Sequence, residues 1–128
     1  MKKIVGTVVA VCALMLAGCV NNDPFGTAND PDTITIGSQD YYSNEIIAEI
    51  YAQALEKRGH KVKRELRIGQ REAYLPEIES GSIDLFPEYT GPLLQYWKKD
   101  TSARLPEDVY AELTTVTPDG LRVLKQSP

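Results

Sequence analysis

Ile83-Asp84-Leu85-Phe86-Pro87-Glu88-Tyr89-Thr90-Gly91-Pro92 compresses a buried strand, its termination and the start of a helix into one stretch. Ile83, Leu85 and Phe86 are apolar and strand-prone, and Pro87, which has no N–H to donate, ends any hydrogen-bond ladder there. Glu88, Tyr89 and Thr90 then fall on a loop at the carboxyl end of a strand, and Pro92 suits the first turn of a helix through Leu93, Leu94 and Trp97. Open α/β folds bind ligands at such loops.

Upstream, Thr33-Ile34-Thr35-Ile36-Gly37 alternates polar and apolar residues and reads as the first strand, with Gly37 releasing the chain into a polar loop, Ser38 to Ser43. Ser43 or Asn44 is placed to cap a helix whose apolar positions are Ile46, Ile47, Ile50, Ala54 and Leu55, and Gly59 stands where a C-cap glycine belongs. Val62, Arg64, Leu66 and Ile68 share one face of a second strand, and the charged opposite face suggests a sheet edge. Tyr74, Leu75 and Ile78 mark a short helix within Gln70 to Ser80, interrupted by Pro76, before Gly81-Ser82 turns into the strand described first. Downstream, Pro106-Glu107-Asp108 starts a helix with Val109, Leu113 and Val116 inward, Pro118-Asp119-Gly120 is a turn, and Leu121 to Leu124 reads as one more short strand.

Strand, helix, strand, helix, strand with right-handed crossovers predicts a parallel sheet in the order β2-β1-β3, for strands over 33–37, 62–68 and 83–86. The carboxyl ends of the first and third strands then flank a switch-point crevice, which brings Ser38-Gln39-Asp40 beside Glu88-Tyr89-Thr90.

The amino-terminal end carries an address. Lys2 and Lys3 precede an unbroken apolar run from Val8 to Ala17, too short to span a bilayer and suited to a secretory leader. Leu16-Ala17-Gly18-Cys19 looks like a bacterial lipobox, so residues 1–18 are expected to be removed and Cys19 to carry diacylglycerol. Cys12 leaves with the leader, so the mature chain has no second thiol for a disulfide. Residues 19–32, rich in Asn, Asp, Pro, Gly and Thr, read as a flexible tether, and residues 33–128 as the folded part. Losing Lys2 and Lys3 takes the net charge from −4 to −6, which argues against nucleic acid as a partner.

Few residues suit chemistry. A catalytic triad needs a base, and the one histidine, His60, follows a helix-end glycine far from any nucleophile motif. Asp40, Glu45, Asp84 and Glu88 are conceivable as an acid/base pair for a surface-anchored hydrolase, but solvated carboxylates are the simpler reading, and no metal site is expected from them. Gly37-Ser38 ahead of a helix is a weak candidate anion cradle. The aromatic residues are more suggestive. Tyr41, Tyr42 and Tyr89 fall on loops at the expected crevice, while Tyr51, Tyr74, Tyr96, Trp97 and Tyr110 fall on helices and suit a core or a groove. A quaternary ammonium cannot donate a hydrogen bond, so ring faces must hold it.

Ile34-Thr35-Ile36-Gly37-Ser38-Gln39, Leu75-Pro76-Glu77-Ile78-Glu79-Ser80-Gly81-Ser82-Ile83-Asp84-Leu85 and Pro87-Glu88-Tyr89-Thr90-Gly91 resemble the glycine betaine/choline/carnitine-type substrate-binding lipoproteins of ABC transporters. The resemblance runs from about Thr33 to Leu124. It implies a type II periplasmic-binding-protein fold of which this chain holds only part of the first lobe, the rest lying beyond Pro128. It also implies that Tyr89 is one wall of an aromatic cage, that Gln39 meets the ligand's carboxylate or polar tail, and that Thr90 and Gly91 complete the motif's loop, with Ser38 and Tyr42 nearby. The implied partners are a quaternary ammonium solute, an ABC permease and a membrane reached through lipid on Cys19, outside the cytoplasm, with no cofactor and no catalysis. Pro92 departs from the pattern, since many relatives have threonine there. A sensor or adaptor built on the same fold is a further alternative.

Overall fold

A computed structural model describes residues 30–127; the expected leader, Cys19 and most of the expected tether lie outside the described residues. The elements are β1 (Thr33–Gly37), α1 (Tyr42–Glu56), β2 (Lys61–Glu65), α2 (Arg71–Glu79), α3 (Thr90–Trp97) and α4 (Pro106–Val116). β1 and β2 run parallel in register Thr33↔Lys61 to Gly37↔Glu65, which leaves β2 on the edge as its charged face suggests.

The stretch 83–86 lies on the other side of β1, parallel to it, so the expected order holds, but it forms a single bridge, Ile36↔Leu85, rather than a strand. The physical reason is Asp84. Its carboxylate accepts the Thr35 N–H at 2.7 Å, a donor that a third strand would have met with a backbone carbonyl. Thr35 O receives both Asp84 N and Leu85 N, and Gly37 N donates to Leu85 O at 3.0 Å, after which Pro87 has no amide to continue.

α1 covers one face of the sheet, where Ile36, Ala48 and Ala52 form a buried cluster with Ile34, Leu55, Val62, Leu66 and Leu85 around it. A larger cluster joins Tyr74, Leu75, Leu93, Leu94, Val109 and Leu113 from α2, α3 and α4. Phe86 ties the two halves: its ring stacks on Tyr74 with centroids 4.1 Å apart and lies against Gly37, where an added Cβ would stand 2.7 Å from its Cδ2.

Three local readings need correction. The inward face of α1 is Asn44, Ala48 and Ala52, while Ile46 and Ile50 are 43% and 59% exposed. Polar contacts set that rotation: Arg64 of β2 bonds both Glu49 and Glu56, one face of α1, and small alanines let the helix approach Ile36 closely. β2 stops at Glu65 because Arg67 takes φ 60°, with its N–H held by Ser38 Oγ at 2.9 Å. Leu66 and Ile68, expected on one face, therefore pack into different clusters. Leu121 to Leu124 form no strand; they line a cavity shared with Leu85 and Phe86, and Val123 packs on the larger cluster.

Arg64 pulls the Glu49 carboxyl from 4.5 to about 2, helped by a hydrogen bond from Gln53, and lowers Glu56 as well. A carboxyl held low in the folded state adds stability above its ordinary value and loses it as pH falls through its folded one. Stability is therefore expected to drop between pH 4.5 and about 2, and Glu49→Gln to flatten that part of a denaturation-versus-pH profile. Gly37→Ala drives a methyl into Phe86 and Ile83, and urea unfolding is expected to show a loss of about 1 to 3 kcal/mol.

Candidate functional site

The carboxyl ends of β1 and of the 83–86 segment meet at the first turn of α1. Asn44 is 1% exposed; its Oδ1 accepts the Gln39 N–H at 2.8 Å and its Nδ2 donates to Pro87 O at 2.9 Å. One side chain thus joins loops that are nearly fifty residues apart in sequence. This is why neither Ser43 nor Asn44 caps the helix: α1 begins at Tyr42 without a side-chain cap, Asn44 is spent on the loops, and Ser43 Oγ lies 3.0 Å from the Tyr89 hydroxyl.

Tyr89 is the N-cap residue of α3 and is 42% exposed. Its hydroxyl meets Ser43 and its N–H donates to Glu88 Oε2 at 2.6 Å. Glu88 is itself fixed from α2, where Tyr74 donates its hydroxyl to Oε1 and Arg71 donates an Nη2 hydrogen bond to Oε2 at 2.9 Å. The Arg71 Nε lies 2.9 Å from Oε1 without the alignment of a hydrogen bond, so that part of the pair is Coulombic. Burial, then the carboxylate beside it, pushes the Tyr74 phenol up, so it stays a donor.

Gln39 is 1% exposed and its Nε2 is a buried donor with no partner among the described residues. Ser38 is buried, and its hydroxyl donates to Gln39 O and accepts from Arg67 N. The amides of Gly37, Ser38, Gln39 and Asp40 are all engaged by protein acceptors, so the anion cradle read at Gly37-Ser38 is not open and Ser38 serves loop closure. Tyr42 is on α1 rather than a loop and is 81% exposed. Tyr41, the N-cap of α1, donates its hydroxyl to Gln70 Oε1 at 3.2 Å. Thr90 and Gly91 belong to the first turn of α3 rather than to a loop, Pro92 stands third in the helix where an N–H would have no intrahelical partner, and no atom blocks the space beside Gly91.

The four carboxylates considered for catalysis are dispersed. Asp40 pairs with Arg67 at 3.0 Å, Asp84 holds Thr35, Glu88 holds Arg71 and Tyr74, and Glu45 sits in the first turn of α1. Among the described residues, no group of His, Cys, Asp or Glu is arranged to hold a metal, and no helix is long and apolar enough to cross a membrane. A cavity of about 420 Å³ opens between Leu85, Phe86, Glu88, Trp97, Leu113 and Val123, and Gln39, Tyr42 and Tyr89 do not line it.

The family profile described as the substrate binding domain of ABC-type glycine betaine transport systems, OpuAC, matches residues 32–126. The chain belongs to this family. Among solved structures it is similar to apo YehZ from Escherichia coli, with a TM-score of 0.60 and 23% identity over 66% of this chain. That likeness shows the fold, part of one periplasmic-binding-protein lobe, and the chain spans 31% of YehZ.

Asn44, Ser43 and Arg71 are residues of the candidate site that sequence reasoning passed over. An asparagine inside an apolar helical period was the available signal for the first; nothing marked the other two. Asn44→Leu is expected to leave the Gln39 N–H and the Pro87 carbonyl unpaired in a buried place, at a cost of about 2 to 4 kcal/mol by chemical denaturation.

Proposed function

We propose that this chain forms one wall of a capture site for quaternary ammonium osmolytes, of the glycine betaine, choline and carnitine class, outside the cytoplasm and for delivery to an ABC permease. Membership of the OpuAC family supports the substrate class and the transport role. The observation that carries the reading is Tyr89, a half-exposed ring at a strand-end switch point, tied down at its hydroxyl by Ser43 and at its amide by Glu88. A ring fixed before the ligand arrives gives up little freedom on binding, which a cation held by weak ring contacts requires.

In this reading Tyr89 meets the methylated cation. Gln39, whose buried Nε2 lacks an acceptor, turns it toward the carboxylate or polar tail after a small rotation. Thr90 and Gly91 form the approach, where the absence of a side chain on Gly91 keeps space open, and Tyr42 stands at the rim. Pro92 supplies no hydroxyl, so contact at that position is apolar. Residues 1–18 act as the leader, Cys19 carries the lipid and residues 19–32 link it to residues 33–128, a partial first lobe.

A ring contributes about 0.5 to 2 kcal/mol to holding such a cation, the lower end where water reaches it. One half-exposed ring is therefore weak alone, and no more than millimolar affinity is expected of residues 1–128 in calorimetry with glycine betaine. The hydrolase alternative lacks support because Asp40, Asp84 and Glu88 are occupied by structural partners and Glu45 stands apart from them in the first turn of α1.

Uptake of labelled glycine betaine by cells with and without the encoding gene tests the role. Loss on deletion, restored by the native gene and not by a Tyr89→Ala copy, is the expected outcome. Unchanged uptake after deletion would remove the transport reading, and a sensor on the same fold would then be favoured.

A further inference from the structure

Five of the fourteen Lys and Arg residues fall within eight positions, Lys57-Arg58-Gly59-His60-Lys61-Val62-Lys63-Arg64, in a chain whose net charge is −4. No Asp or Glu interrupts them. The fold gathers this run at the amino-terminal ends of the strands. α1 stops at Glu56, the chain turns through Gly59 at φ 90°, and β2 starts at Lys61 opposite Thr33.

Arg64 is absorbed by Glu49 and Glu56, Lys61 pairs loosely with Asp30 at 3.3 Å, and Lys63 pairs with Glu65 at 2.8 Å. The side chains of Lys57 and Arg58 have no partner among the described residues, and the whole run from Lys57 to Lys61 is exposed. Lys57 and Arg58 thus leave two adjacent, unpaired positive charges on the turn of an acidic protein, with the loosely held Lys61 beside them.

The same end receives the incoming chain. Asp30 touches Lys61 and Thr33 is paired with it, so the segment that follows Cys19 enters the fold beside the basic turn. Thirteen residues separate Cys19 from Thr33, and the span reaches at most about 50 Å when fully extended. Gln39 and Tyr89 lie at the opposite ends of the strands, about 15 Å away along β1.

We propose that the Lys57–Lys63 end is a docking surface for anionic phospholipid headgroups, which holds the anchored protein with its Gln39–Tyr89 end facing solution. This rests on the lipid anchor proposed for Cys19. Attraction to a charged surface decays within about 8 Å at physiological salt, so it acts on the end that makes contact, and the end where the anchored segment enters the fold has the shortest path to the surface. Confinement by the anchor raises the effective concentration of that end at the surface, so a few exposed cations that give only a weak preference free in solution then suffice to hold it. The acidic remainder of the protein is repelled, which makes the attraction orienting as well as adhesive.

The test is acetylation by acetic anhydride of the lipidated full chain in vesicles of phosphatidylcholine, with or without phosphatidylglycerol, read residue by residue by mass spectrometry. Lys57 and Lys61 are expected to react several-fold more slowly on anionic vesicles, with the difference lost in high salt. Lys57→Glu with Arg58→Glu should abolish protection at Lys61. Equal rates on both vesicles would overturn the docking surface while leaving the anchor intact. Protection that requires co-reconstituted permease would assign the surface to that protein and overturn the lipid proposal.

A second arm pellets the Cys19→Ser chain with the same vesicles. A preference for anionic vesicles that falls about tenfold with the two reversals supports the surface even if Cys19 proves to carry no lipid. No preference in this arm and no protection in the first would sink it.

Discussion

A single buried amide holds the candidate site together. Asn44 can serve a donor and an acceptor at once because its side chain carries both, and it is placed by α1 between the ends of β1 and of the 83–86 segment. Backbone groups at those ends have no ladder left to join, and burial without partners would be costly. Satisfying both with one residue fixes the spacing of Gln39 and Pro87, and through the following residue positions Glu88 and Tyr89.

Side chains replace backbone throughout this region. Asp84 takes the Thr35 amide in place of a third strand, Ser38 takes the Arg67 amide where β2 breaks, and Glu88 takes the Tyr89 amide while bracing against α2. Each substitution ends regular structure at the level of the site and leaves short, fixed loops there. Asp84 and Glu88, two of the acidic residues that might suggest acid/base chemistry, are consumed in this way. A substrate-binding domain needs shape more than reactive groups, and the arrangement accords with the OpuAC membership.

The two ends of the strands differ in kind. At the carboxyl ends, polar groups are buried and, apart from a few such as Gln39 Nε2, paired, with tyrosines left at the surface. At the amino-terminal ends, charge is exposed and partly unpaired around the turn from α1 to β2. A parallel sheet produces this division because every crossover helix returns the chain from one end to the other, so loops of one type collect together.

The order of elements, β1 itself, the positions of α2, α3 and α4 and the adjacency of the 39 and 89 loops follow from the sequence alone, since they rest on apolar period, glycine and proline placement, and the handedness of crossovers. The rotation of α1 did not: Ile46 and Ile50 are the more apolar residues, yet Arg64 reaching Glu49 and Glu56 turns Ala48 and Ala52 inward, and an ion pair across two elements leaves no periodic trace. The length of β2 and the shrinkage of the third strand to a bridge were likewise settled by Arg67 entering the left-handed region and by Asp84 bonding Thr35. Local composition determines what each segment tends to be; where polar side chains find partners far along the chain, only the folded arrangement decides which backbone group they displace.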